Sequence, residues 1–328
     1  MKQILNELIE HRSLSKDTAR QVLIDLAQGK YNMSHTSAFM TVYMMRAITV
    51  DELQGFRDAM LELCLPARFE QPVMDLCGTG GDGKNTFNIS TLSSFVVAAA
   101  GQPVAKHGNY GVSSACGSSN VLEYFGYKFT NDVDELKRSL DRSNICFMHA
   151  PLFHPALKNV APIRKELGVK TFFNMLGPMV NPAFPTRQLV GVFSLELARQ
   201  YGYIYQNTDK DFVILHSVEG YDEISLTCPV KYFYNRGEQL ATPADLGLPK
   251  LRYEDLHGGD TVEEAAKIFM NVLEGKGTAA QNAAVLANSG MALFAGNQKD
   301  GYPAALAKAK EALESGKALQ AFKNMLKQ

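Results

Sequence analysis

Apolar residues along this chain follow two rhythms. Up to about residue 70 they recur three or four positions apart, the spacing of one helical face. Residues 21–27 and 37–48 show it, and so does the stretch after Thr49. Thr49-Val50-Asp51-Glu52 has the form of a capping box, with Leu53, Phe56, Met60 and Leu61 on one face behind it. Pro66 and Pro72 then punctuate the chain. From Val73 the texture changes. Short apolar runs at 73–77, 103–105, 145–148, 189–193, 212–215 and 231–234 read as strands. Helical patterns separate most of them, the first being 89–100, which ends at Gly101. The last third is mostly helix, over 262–273, 279–293 and 304–313. The pattern predicts an α/β protein: a small all-helical domain over 1–70 and a large α/β domain over 71–328, with a mainly parallel central sheet.

Composition narrows the function classes. With 46% hydrophobic and 20% charged residues the chain can bury a core. A net charge of −1 gives no footing for nucleic acid. The five cysteines, Cys64, Cys77, Cys116, Cys146 and Cys228, are odd in number and form no CxxC pair, so a reducing cytoplasm is expected and not a disulfide scaffold. Glu7 and Glu10 interrupt any signal-peptide pattern, and the apolar run 95–100 is far too short to span a bilayer, so no membrane is expected.

The chemistry concentrates in Gly78-Thr79-Gly80-Gly81-Asp82-Gly83-Lys84-Asn85-Thr86-Phe87-Asn88-Ile89-Ser90-Thr91, between a strand and a helix. Glycines allow close backbone approach, and a helix N-terminus offers free amides to an anion. Gly78, Gly80 and Gly83 satisfy the dinucleotide fingerprint GxGxxG, but that reading wants a carboxylate about twenty positions on. None occurs between Asp82 and Glu123. Gly78 to Lys84 also fits GxxxxGK, yet Asn85 stands where a P-loop needs Ser or Thr. A bare turn is the plain alternative, though so glycine-rich a turn is costly to order. A phosphate or pyrophosphate suits the segment best. The second cluster, Lys106-His107-Gly108-Asn109-Tyr110-Gly111-Val112-Ser113-Ser114 with Gly117-Ser118-Ser119-Asn120, follows the next strand and so opens at the same sheet edge. It suits a phosphorylated sugar, and equally a solvated loop.

These segments, with FHPA at Phe153 to Ala156, VAPIRKELGVKTFFNMLGP at Val160 to Pro178 and GYDEIS at Gly220 to Ser225, resemble the anthranilate phosphoribosyltransferases. Order and spacing match over essentially the whole chain. Two departures stand out: Tyr110 where the family often has Arg, and Ser119-Asn120 for a frequent Ala-Asp. The resemblance implies a nucleoside phosphorylase/phosphoribosyltransferase-like fold, with a segment near 155–183 returning to the helical domain. It implies transfer of the phosphoribosyl group of phosphoribosyl pyrophosphate (PRPP) to the amine of anthranilate, in tryptophan biosynthesis. PRPP would be bound by Gly78, Gly81, Asp82, Thr86, Asn88, Ile89, Ser90, Thr91, Lys106, His107, Gly108, Asn109, Tyr110, Gly111, Val112, Ser113, Ser114 and Ser118. Gly78, Asn109, His154 and Arg164 would meet anthranilate, the arginine as partner of its carboxylate. Ser90, Asp222 and Glu223 would hold Mg²⁺, two ions per monomer. Lys106 would stabilise the departing pyrophosphate and His107 take a proton later. A cytoplasmic homodimer through the helical domain is also implied.

Plainer readings compete. Asp222-Glu223 is by default an exposed acidic turn, and Arg164 an exposed helix arginine. Cys146, His149 and His154 lack a fourth ligand and the spacing of a zinc site. The Met40 to Met45 stretch reads as helix core or subunit contact. A pyrimidine-nucleoside phosphorylase would have a lysine motif of the form Lys-x-Ser-Gly-Arg, where this chain has Lys106-His107-Gly108-Asn109. A non-catalytic nucleic-acid binder would have a basic surface and no carboxylate pair.

Overall fold

Parallel strands need helical crossovers, and the chain supplies them from β1 onward. In the computed structural model, which describes residues 1–111 and 115–327, four helices come first: α1 (Lys2–Ile9), α2 (Lys16–Ala27), α3 (Met33–Met45) and α4 (Val50–Leu63). Then follow β1 (Met74–Gly78), α5 (Ile89–Ala99), β2 (Val104–Gly108), α6 (Ser118–Tyr124), α7 (Val133–Ser143), β3 (Ile145–His149), α8 (Ala150–Phe153) and α9 (Ala161–Leu167). The rest runs β4 (Arg187–Gly191), α10 (Leu195–Tyr205), β5 (Asp211–Ser217), β6 (Val230–Tyr234), β7 (Gly237–Ala241), α11 (Val262–Leu273), α12 (Ala279–Gly296), α13 (Gly301–Glu314) and α14 (Lys317–Met325). Among the described residues no helix is long and apolar enough to cross a membrane.

The chain divides into two compact units, Met1–Pro66 with Pro151–Pro182, and Ala67–Ala150 with Ala183–Gln328. The first is helical. Its centre is a ring cluster in which Phe39, Tyr43, Phe56 and Phe172 meet, Phe56 stacking on Phe172 at 4.6 Å. Such pairs contribute roughly 0.5–1.5 kcal/mol each beyond area burial. The Thr49–Glu52 capping box forms as the sequence predicts. Glu52 is fully buried and does more than cap. It accepts the Leu14 amide (2.9 Å) and the Tyr43 hydroxyl (3.0 Å), and pairs with Arg46. Burial alone would raise its carboxyl; Arg46 and the Leu14 and Thr49 amides outweigh that and hold it below its ordinary value.

The second unit carries a seven-stranded sheet of order β3-β2-β1-β4-β5-β6-β7. The pairs from β3 to β5 are parallel, and β6 and β7 are antiparallel. The mainly parallel α/β sheet expected from the sequence is therefore present. β7 is the strand that apolar spacing misses. All but its last residue is exposed, and it is recruited by its hairpin with β6, where Lys231 pairs with Glu238 at 2.9 Å. α13 begins earlier than predicted, because Pro303 falls in its first turn, where a missing N–H costs nothing. From β1 the chain winds outward to β2 and β3, then returns to the other side of β1 as β4. That reversal is a topological switch point, where α/β sheets open a crevice at the carboxyl ends of their strands. Gly78 and Gly191, the last residues of β1 and β4, stand opposite each other there.

Candidate active site

The crevice is filled by a carboxylate from the loop after β5. A Cβ on Gly78 would lie 2.4 Å from Asp222 Oδ2, and one on Gly191 only 1.5 Å from the Asp222 carbonyl oxygen. Any side chain at either position would push Asp222 out. The loop after β1 then wraps it: Gly80 and Gly81 have φ of 68° and 74°, and the Gly80 N–H donates to Asp222 Oδ2 at 2.6 Å.

Glu223 goes to the N-terminus of α5. There the Ser90 hydroxyl and amide favour its charged form, so the helix end that the sequence offers to a phosphate already faces a carboxyl group. Lys106 is buried, its Nζ donating to the Leu76 carbonyl at 2.6 Å. Burial, with repulsion from Asp82, pushes the Glu223 carboxyl up to about 7, although Lys106 and Ser90 pull it back. Asp222 is raised further, first by burial, then by Asp82 and Glu223, with the Gly80 amide opposing. Asp82 accepts the Lys84 amide on Oδ1 (3.1 Å), while its buried Oδ2 has no hydrogen-bond partner among the described residues. Like charges held together out of water favour a cation. Among the described residues no three His, Cys, Asp or Glu side chains converge as a ready-made metal cage. Mg²⁺ does not need one: it commonly takes one or two carboxylates and completes its shell with water and phosphate oxygens.

The second loop is tied to the first. Past the Met74–Val104 pair, the buried Asp75 accepts the His107 amide at 3.1 Å, and Lys106 reaches back to Leu76. Asn85, at a φ of 47°, accepts the Ala115 amide (3.3 Å) and donates to the Gly259 carbonyl (3.1 Å). Asn88 donates to the Cys116 carbonyl at 3.0 Å. Thr86 bridges to His257, and Ile89 and Thr91 are buried in α5. The Asn109 carbonyl accepts from the Ser119 amide (3.1 Å) and the Ser118 hydroxyl (3.2 Å). Tyr110 sets its ring edge-on to His149 at 4.9 Å and donates its hydroxyl to Glu123 at 3.3 Å. His149 in turn stacks on Phe129 and hydrogen-bonds Ser119 Oγ at 2.9 Å. Gly111 gives its N–H to Asn120. Val112, Ser113 and Ser114 lie outside the described residues.

In the helical unit the half-buried Arg164 holds its guanidinium over the Phe173 ring at 5.0 Å. Burial lowers its pKa, and no carboxylate pairs with it among the described residues. His154 is buried, its Nε2 at 3.1 Å from the Val180 carbonyl. A crevice of about 550 Å³ opens elsewhere, at the amino ends of β4 and β5 beside Arg187 and Asp211, and contains none of these groups.

Residues 2–64 match the helical bundle domain of a glycosyl transferase family, and residues 70–319 match its a/b domain. The anthranilate phosphoribosyltransferase of Christiangramia forsetii is 58% identical over 328 residues, covering 100% of this chain and 99% of the relative. That of Flavobacterium johnsoniae is 58% identical, covering 99% of this chain and 98% of the relative. The crystal structure of the Thermus thermophilus enzyme superposes with a TM-score of 0.91 at 31% identity, over 98% of each chain. The chain belongs to the anthranilate phosphoribosyltransferase family. The Saccharomyces cerevisiae anthranilate phosphoribosyltransferase in complex with PRPP and Mg shares the fold, with a TM-score of 0.88 at 24% identity over 98% of this chain and 95% of that one.

Within this anthranilate phosphoribosyltransferase framework the structure brings Gly78, Asp82, Ser90, Lys106, Asp222 and Glu223 to one crevice. Asp75 and Gly191 belong to the same neighbourhood and escaped the sequence reading, while Asn85 and Asn120 lay in its two loop clusters without a role assigned to them. Asp75 left a trace, a carboxylate inside the apolar run Val73-Met74-Asp75-Leu76-Cys77. Gly191 left none, because its glycine matters only through a residue far along the chain.

Proposed function

We propose that this chain transfers the phosphoribosyl group of PRPP to the amine of anthranilate and releases pyrophosphate, the reaction of its family in tryptophan biosynthesis, with Mg²⁺ held by Asp222, Glu223 and Ser90. The observation that carries the reading is the burial of Asp222 and Glu223 beside Asp82 under a glycine loop at the switch point, where burial first and then the neighbouring carboxylates raise the pKa of Asp222 and Glu223. Mg²⁺ bound there would neutralise the pyrophosphate oxygens. Two ions per monomer suit carboxylates divided between Asp222 at the Gly80 amide and Glu223 at Ser90.

The chain's own groups bind and orient. An aromatic amine is neutral near neutral pH, so its nitrogen needs no strong base, and positioning supplies most of the acceleration. The glycine loop and the loop of Lys106 to Ser118 hold PRPP. Lys106 opposes the rise in the Glu223 pKa and so favours the charged form of that ligand. His107 takes the proton released after C–N bond formation. Arg164, without a carboxylate partner of its own among the described residues, receives that of anthranilate, with His154 in the same helical unit.

Exposed Ile9, Met33, Met44 and Met45 on the helical unit support a homodimer through that unit. The free thiols support a reducing cytoplasm. The test is loss of anthranilate fluorescence with PRPP and Mg²⁺, coupled to pyrophosphate release. The chain has no tryptophan to obscure the signal. Turnover that needs all three components is expected; no turnover with all three present would overturn the reading.

A further inference from the structure

The two stems of the loop after β2 are pinned by one side-chain atom. Asn120 Oδ1 accepts the Gly111 amide at 3.0 Å and the Gly117 amide at 3.0 Å. The stems touch: a Cβ on Gly117 would lie 2.2 Å from the Gly111 nitrogen and 2.5 Å from the Tyr110 carbonyl carbon. Asn109 and Ser118 flank this neck, and they bond each other through the Asn109 carbonyl. The next residue, Ser119, is fully buried and anchored to His149, so Asn120 stands on a fixed base. A plain helix cap at the start of α6 would need only the Gly117 bond. The Gly111 bond crosses the loop and has no capping purpose.

We propose that Asn120 is a positioning residue for PRPP: by holding both stems it presents Asn109 and Ser118 in place before the ligand arrives. The inference rests on the reading above, in which this loop binds PRPP. Stems held in their binding geometry do not have to be ordered on binding. Loss of the acceptor therefore falls first on PRPP affinity and leaves the chemical step alone.

The experiment is steady-state kinetics on Asn120→Ala, Asn120→Leu and Asn120→Asp, with melting temperatures measured alongside. Alanine and leucine remove the acceptor, leucine at nearly constant volume; aspartate keeps an acceptor oxygen. Ala and Leu should raise KM for PRPP roughly tenfold, the factor two ordinary hydrogen bonds supply. kcat should stay within about twofold, well inside the factor of ten that 1.4 kcal/mol represents, and KM for anthranilate should rise less than KM for PRPP. Asp should restore KM for PRPP to near wild type. An unchanged KM for PRPP, a parallel loss for both substrates with a lowered Tm, or an Asp variant no better than Ala would each overturn the proposal. Loss of soluble protein in both neutral variants would make Asn120 a folding residue and overturn it too. A wild-type chain that fails to consume anthranilate with PRPP refutes the phosphoribosyl-transfer reading instead.

Discussion

The backbone carbonyl of Asp222 occupies the place where a side chain on Gly191 would begin. A Cβ there would sit 1.5 Å from it, against backbone that has no rotamer to yield. Gly191→Ala must therefore move the loop bearing Asp222 or the end of β4. Overpacking of this kind costs about 1–3 kcal/mol. The chain should still fold, with kcat/KM reduced by tenfold or more and a higher Mg²⁺ requirement. A Mg²⁺ titration of activity checks this; a variant with wild-type kinetics would show that Asp222 need not sit where it does.

Asp222→Asn with Glu223→Gln removes two of three mutually repelling carboxylates. Without metal the double variant should melt at or above the wild-type temperature, since it loses an unfavourable charge cluster. With Mg²⁺ the order should reverse, because only the wild type gains binding energy from the ion. Half-saturation by Mg²⁺ should rise at least about tenfold, or 1.4 kcal/mol. Equal Mg²⁺ stabilisation of the two proteins would remove these residues from the metal site.

Arg164→Ala should raise KM for anthranilate by about 10- to 100-fold, the worth of a hydrogen bond to a charged group. KM for PRPP should stay near wild type. Arg164→Lys should recover only part, since lysine lacks the planar fork. Equal losses for both substrates would count against the assignment.

Glu52→Gln tests the helical unit. Glu52 is buried beside Arg46 and held below its ordinary value of 4.5, so the unfolded chain binds its proton more tightly than the folded one. That stabilisation is present above about pH 4.5 and fades as pH falls through the folded pKa. Near pH 7 the variant should be about 3 kcal/mol less stable, as for a broken buried pair. The gap should narrow at about pH 4. Urea unfolding followed by circular dichroism at both values measures it, and a gap that widens on acidification would reverse the sign.

Where a signal is local, it was legible along the chain. Thr49 and Glu52 lie one helical turn apart, so their capping box could be read from spacing alone. The same holds for the glycine run after β1 and for the alternation that implied a mainly parallel sheet. Tertiary structure alone decided what depends on strand order and register. Gly191 and Gly78 both face Asp222 because β4 pairs with β5 on one side and with β1 on the other, and periodicity does not encode which strands become neighbours. β7 forms through pairing with β6, not through an apolar stripe of its own. The N-terminus of α5 holds Glu223, a residue more than a hundred positions away, because the long loop after β5 returns to the switch point. Asn120 looked like an ordinary departure in a Ser-rich loop until folding placed two amides on one of its oxygens. Local backbone chemistry is written in neighbouring residues; the close approach of distant ones is set by how the sheet is assembled.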